Sequence, residues 1–486
     1  GAWTTPVVLA DEFGWWPSIA VDPLGGVHVV WGGGNANFDV LYYSYKDEDT
    51  GDWSPSNDVL VNRSGGGYTV RNGITVAPDG LLHVLYRDTV DIYYSTAPRT
   101  GASSAQAWGP PQFIGNSGGA YYCDIAADSQ GVVHVVWTQT MNVDTEYGSN
   151  EDCLGCSDVY YRRSEDGGVT WSVPTNVSKT EWGVTRPRVK IDSTGDVYVT
   201  WDEGAEAYAS RGSDSAPRAV GLAISLDRGQ TWNEPVFLGP DERDGIPILG
   251  AFHKDGRGRL VAVYTRMLDW DTRVRDLSLY YQVSDDGGKT WTDSQVIAGA
   301  TARTGMDTGL DNYDLAGDRH GRLHLIYVGA RNEEDGGAGL YHVEWDGNAW
   351  GRPEEIYHTP EYPEWPRIVV DSGDGLHVVW HERRRDEIWA EVERVIRVMY
   401  SERPGGPLPE VTLMPTFTPR PTATRSVILT PTITRTPPPT FVPRDESAMS
   451  YSTVDEAATN TVLIASIPVL LLIGIIVLLR GFRVGR

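Results

Sequence analysis

Apolar and polar positions alternate in short runs along most of this chain, and seven runs close alike. A turn carrying Gly is followed by four or five mostly apolar residues and then by Trp or Tyr. The closing aromatics are Trp31, Tyr86, Trp137, Trp201, Tyr264, Tyr327 and Trp380, spaced 51 to 64 residues apart. Alternation at period two predicts strands, and the runs before each turn (Ser18–Asp22, Arg188–Asp192, Arg367–Asp371) predict a preceding strand. A third strand follows a loop of variable length, as in LSLYYQVS ending at Ser284, and a tight turn then leads to a Trp and a fourth strand. A four-strand unit of this size cannot bury both faces alone, so copies must stack. The pattern predicts an all-β, seven-bladed β-propeller, with six blades as the alternative.

The tight turn before the fourth strand has a fixed form, S-x-D-x-G-x-T-W. It occurs at Ser164–Trp171, Ser225–Trp232 and Ser284–Trp291, with a degenerate copy at Asp346–Trp350. This resembles the Asp-box, or bacterial neuraminidase repeat, of the sialidase superfamily, and the resemblance covers roughly residues 1–406. The residue chemistry is that of a scaffold. Asp and Ser side chains bond backbone N–H groups across a turn, Gly supplies the positive φ, and Trp buries a large area. Asp166, Asp227, Asp286, Trp171, Trp232 and Trp291 are therefore read as structural, one set to a blade.

The seventh unit reaches its third strand at Val395–Ser401 and then meets Pro404-Gly-Gly-Pro407 without a Trp. Trp3-Thr-Thr-Pro6-Val-Val fits the missing piece, so the N-terminus is expected to supply the last blade's outer strand and leave no open edge. Beyond residue 406 the composition changes. Residues 407–461 are rich in Pro and Thr and predict an extended stalk. Residues 462–479 carry no charge over 18 positions, enough for one membrane-spanning helix, and 480–486 hold Arg480, Arg483 and Arg486. The positive-inside rule then places the C-terminus in the cytoplasm and the propeller outside, a single-pass membrane protein. The absent initial Met fits a removed export signal.

A formal charge of −25, from 66 acidic and 41 basic residues, excludes nucleic acid as a partner class. Three Cys make no disulfide framework; Cys153 and Cys156 are expected to pair locally and leave Cys123 alone. Asn62 and Asn176 head glycosylation sequons. Five His (His28, His83, His134, His324, His377) share one repeat position. Because blades keep equivalent positions apart, they read as packing between blades rather than as a metal ring. The acidic loop 144–158 lacks the regular spacing of a calcium loop, and no metal or cofactor is assigned.

Candidate chemistry lies on the face built from loops entering the first strand and loops joining strands two and three. Loops on a rigid scaffold carry binding. Ligand-binding candidates there are Arg71, Arg186, Arg188, Asp202, Glu203, Arg266, Arg331, Arg367, Glu382 and Arg383. The sialidase resemblance implies an Arg cluster for a carboxylate, a Tyr activated by Glu, and an acidic Asp. Arg367-Ile368 followed by His381-Glu-Arg383 is similar to the first sialidase blade, though Pro does not follow Ile368 and the unit stands last. No Tyr–Glu pair is assignable from sequence. The leading expectation is a cell-surface propeller binding a glycan or a surface protein. A sialidase-type glycosidase and a structural subunit of a cell envelope are the alternatives.

Overall fold

The computed structural model describes residues 1–33, 40–61, 71–117, 122–140, 157–180, 183–204, 217–238, 245–269, 274–303, 313–330, 338–387 and 395–415. These form seven antiparallel sheets of four strands each, and within each sheet the strands pair in chain order except at the seam. Blade 1 opens with Trp15–Val21, blade 2 with Asn72–Val76, blade 3 with Cys123–Ala127 and blade 4 with Val184–Ile191. Blades 5, 6 and 7 open with Ile246–Lys254, Tyr313–Gly317 and Tyr362–Val370. The runs closing in Trp or Tyr are the second strands, and nearly all of their described residues are buried. Seven rather than six blades is the observed count.

Blade 7 is completed by the N-terminus, as expected. Val7–Ala10 lies against Ile396–Arg403, pairing Val7 with Tyr400 and Val8 with Met399. Trp3 takes the place of the other post-turn Trp residues, with its ring 5.6 Å from His342 of blade 6. Elsewhere the same contact joins Trp53 to Tyr400 at 4.8 Å, Trp171 to Tyr94 at 4.9 Å and Trp232 to Tyr161 at 4.7 Å. In these blades the Trp meets an aromatic side chain on the third strand of the blade before it, whereas Trp291 of blade 5 meets Phe252 of its own inner strand at 5.8 Å, the third strand of blade 4 having no aromatic residue.

The repeated His residues belong to this ladder, but inside blades rather than between them. His28 Nδ1 lies 2.7 Å from the Tyr43 hydroxyl, His134 Nδ1 2.7 Å from Tyr161 and His377 Nδ1 2.7 Å from Tyr400. The other ring nitrogen of His28 and of His377 faces the hairpin carboxylate of Asp22 or Asp371, at 3.2 and 3.0 Å. The expectation of packing between blades is corrected accordingly: the His ties strand two to strand three, and the Tyr so positioned makes the contact between blades. Tyr94 Oη, for example, donates to Gly167 O in the next blade's Asp-box at 3.2 Å. A Cβ on Gly168 would stand 2.0 Å from that hydroxyl oxygen, which together with a φ of +89° explains the glycine.

The Asp-boxes are closed hydrogen-bond circuits. Asp227 Oδ1 accepts from Ser225 Oγ and from Thr231 N, each at 2.8 Å, while Thr231 Oγ1 donates to Oδ2 at 2.6 Å. Asp166 and Asp286 repeat the circuit. Burial pushes the Asp227 carboxyl up, but the Thr231 and Ser225 bonds outweigh it and hold the group down at about 2. Asp227→Ala removes four bonds, the fourth from Gln230 N at 3.0 Å, from a partly exposed turn and is expected to cost about 1 kcal/mol. Urea denaturation checks this; a midpoint unchanged from the parent chain counts against a scaffold role.

Among the described residues no helix is long and apolar enough to cross a membrane. The expected spanning segment 462–479, most of the stalk, Cys153, Cys156 and the loop 144–156 lie outside the described residues. Residues 404–415, counted from sequence mainly as stalk, lie on the propeller.

Candidate functional site

Four inner strands carry a bulge at one equivalent place, marked by a non-glycine residue of positive φ. These are Trp16 (φ 48°), Arg186 (54°), Leu249 (64°) and Trp365 (58°). Register shifts between Trp15 and Ser18, Thr185 and Arg188, Ile248 and Ala251, and Glu364 and Arg367 coincide with them. Three of the four precede Pro. Bulky residues in this conformation are uncommon and concentrate where a side chain is aimed by its surroundings. Here the bulges gather large side chains at the mouth of the axial channel.

The centre of that cluster is Arg71, just before the inner strand of blade 2. Its guanidinium lies 4.7 Å from the Trp16 ring, 4.8 Å from Tyr122 and 4.3 Å from Trp365, rings from blades 1, 3 and 7. Arg71 is only 6% exposed, and its Nε and Nη1 have no hydrogen-bond partner among the described residues. Trp365 also receives Arg367 at 3.9 Å and Arg188 at 5.3 Å, so three predicted arginines converge on one indole.

Beneath the mouth is a cavity of about 320 Å³, lined in part by Arg188, Lys190, Asp124, Asp314 and Arg367. Lys190 of blade 4 reaches Asp314 of blade 6 at 3.6 Å. Burial raises the Asp314 carboxyl, but Lys190, Arg367 and Arg188 prevail and hold it below the usual carboxylate range. Asp314 and Asp124 also bind neighbouring blades, accepting from Ile368 N at 3.1 Å and Val189 N at 3.0 Å.

The other candidates lie at strand ends around this centre. Arg186 forms a buried ion pair with Asp202, whose Oδ1 accepts from Leu249 N at 2.9 Å. Arg266 stacks on Tyr280 at 4.0 Å. Arg383 is buried, 3.3 Å from Glu364 and 5.3 Å from the Trp15 ring. Glu382 is buried beside Arg397 at 3.7 Å. Arg331 lies outside the described residues. Glu203 is buried against Trp201, whose Nε1 donates at 2.7 Å, and accepts from the Thr180 hydroxyl. Burial, with Asp158 close by, pushes the Glu203 carboxyl up to about 7.

Sequence reasoning missed Trp16, Tyr122, Glu364 and Trp365. His381 packs on Trp15 with centroids 5.3 Å apart and lies 3.5 Å from Glu364. The available signal was the doublet Trp-Pro or Arg-Pro inside a strand, at Trp16, Arg186 and Trp365. Tyr–Glu hydrogen bonds do occur: Tyr45–Glu48 and Tyr400–Glu402 lie at the far ends of their third strands, and Tyr341–Glu355 and Tyr357–Glu382 involve the outer strand Glu354–Thr359. Among the described residues no group of three His, Cys, Asp or Glu side chains is placed to hold a metal.

Residues 16–232 match the model of the BNR repeat-containing family, and residues 282–293 match the BNR/Asp-box repeat. No curated protein matches the chain in sequence. Among solved structures, the polysaccharide lyase Uly1 is 11% identical, with a TM-score of 0.51 over 83% of this chain and 99% of its own. A Dyadobacter fermentans protein of unknown function is 13% identical, with a TM-score of 0.48 over 83% and 100%. The Ruminococcus gnavus intramolecular trans-sialidase is 12% identical, with a TM-score of 0.43 over 84% and 98%.

Proposed function

We propose that this seven-bladed propeller, whose residues 16–232 match the BNR repeat-containing family and whose residues 282–293 match the BNR/Asp-box repeat, binds an anionic glycan at the channel mouth. One observation carries this reading: Arg71, nearly fully buried among three aromatic rings, keeps two N–H donor positions without partners among the described residues. A buried charged donor left unmade is costly, and a carboxylate or sulfate is the group that satisfies it. The kinship in fold with a protein named a polysaccharide lyase supports sugar over protein as the ligand class. The same proposal displays the propeller outside the cell, with the Pro- and Thr-rich sequence beyond residue 415 as its stalk and the uncharged run 462–479 as its membrane anchor.

The test is an array of neutral, sialylated, uronate-bearing and sulfated glycans probed with the parent chain and with Arg71→Met, which keeps an aliphatic stem between the rings. Acidic glycans are expected to bind, and the substitution to weaken them about tenfold or more, the scale of a hydrogen bond to a charged group. Equal retention of neutral and acidic glycans counts against the reading. The glycosidase alternative has one observation in its favour, the Glu203 carboxyl held near neutrality as a proton donor must be. Turnover of a fluorogenic sialoside, lost in Glu203→Gln, would establish it.

A further inference from the structure

The segment after the last strand, Pro404–Met414, does not leave the propeller. It crosses the hairpin turns that join first to second strands, on the face opposite the arginine mouth. Gly406 N donates to Gly373 O of the blade 7 hairpin at 2.7 Å, and Met414 N donates to Pro78 O of the blade 2 hairpin at 3.1 Å. Between these anchors Leu408 sits over the blade 1 hairpin, so that a Cβ on Gly25 would fall 2.3 Å from Leu408 Cδ1. Leu413 Cδ1 lies 3.4 Å from the Cβ position of Gly80. Gly405 and Gly373 are packed backbone to backbone: a Cβ on Gly405 would stand 2.3 Å from Gly373 O.

The path matters because of where the ring is closed. Blade 7 is the one blade built from both ends of the chain, and blade 1 follows it through the same N-terminal segment. Opening the ring means peeling Val7–Ala10 from Ile396–Arg403, which separates blade 7 from blade 1. The crossing segment begins where Ile396–Arg403 ends and bridges that seam, binding blade 7 at one end and blades 1 and 2 further on. We infer that the hairpin turns of blades 7, 1 and 2 form a recognition groove for the chain's own residues 404–414, and that this segment is a second fastening of the ring. Gly25 and Gly373 are what let the segment approach so closely, since a Cβ on them would stand 2.3 Å from Leu408 Cδ1 and 2.5 Å from Gly406 O. The inference is independent of what the mouth binds.

Amide hydrogen exchange on the full chain tests it. Gly406 and Met414 amides should exchange at least about tenfold more slowly than an unstructured chain, because both are donors to the hairpins. In Leu408→Asp, which removes the apolar contact over Gly25 from an otherwise solvent-facing residue, both should rise to unstructured rates. The amides pairing Val7–Ala10 with Ile396–Arg403 should accelerate severalfold in the same variant, while those of blade 4 stay unchanged. Unstructured rates for Gly406 and Met414 in the parent chain would remove the groove. Protection that survives Leu408→Asp, or a seam that exchanges no faster in it, would remove the fastening.

Discussion

Removal of residues 1–10 lowers the melting temperature of the propeller by several degrees and promotes association of the truncated chain. Three losses combine. Trp3 no longer covers His342 and the core shared by blades 6 and 7. Thr4 no longer donates from its N–H to Glu402 O at 2.8 Å, nor accepts from Ser401 Oγ at 2.9 Å. The pairing of Val7 with Tyr400 and Val8 with Met399 disappears, leaving the third strand of blade 7 as a bare edge. A fully buried Trp is worth about 3–5 kcal/mol on truncation, and half-buried Trp3 falls below that range. With the lost pairing added, the total returns to several kcal/mol. The bare edge explains the association, since unpaired N–H and C=O groups recruit other strands. Calorimetry and light scattering on the truncated chain are the measurements; melting and scattering like the parent's would mean that the ring does not depend on its N-terminal strand.

The fold was largely legible because its signals are local and repeated. A turn, four apolar residues and an aromatic specify a strand pair wherever they occur, and seven copies specify a ring. Closure was legible because a missing Trp in the last unit matched a surplus Trp at position 3. The role of the repeated His was less so. Its partner, a Tyr such as Tyr43 or Tyr161, stands 15 or 27 residues further on, and the pairing depends on strand register that spacing alone leaves open. The mouth was legible only in part. Arg71, Arg188 and Arg367 were identified by their place at strand starts. What brings them together is Trp365, turned inward by a bulge at positive φ, and nothing in an alternating pattern announces a bulge. Asp202, Glu203, Glu382 and Arg383 look like loop charges in sequence, yet they end second strands and are buried there. Charge alone could not separate a solvated loop from a strand end covered by its neighbours. For Arg383 the consequence is direct: with Glu364 as its buried partner, its loss is expected to lower stability.

Glu203 gives the propeller a pH dependence that runs against the usual trend for a paired carboxylate. Its carboxyl is buried between blades 3 and 4, held by Trp201 Nε1 and the Thr180 hydroxyl. Thr180 N also donates to Asp158 at 3.2 Å, so one residue bridges two acids. Burial is the main cause of the upward shift to about 7 from an ordinary 4.5; the Trp201 bond opposes it, and the Asp158 charge adds to it. Because the folded group holds its proton more tightly than the unfolded one, the stability it permits is fully present below about 4.5. It is lost as pH rises through 7. A shift of this size corresponds to about 3 kcal/mol between the two limits. The Asp-box carboxylates Asp227 and Asp286 are held low and act in the opposite sense, but only in the acid range below about 4. The two contributions therefore separate on the pH axis. Glu203→Gln keeps an acceptor for Trp201 and cannot ionise. Its urea midpoint is expected to match the parent's at pH 4.5 and to exceed it at pH 8, with the gap opening between those values. A constant difference from pH 4.5 to 8 would mean that the Glu203 carboxyl ionises in the folded propeller as easily as in water.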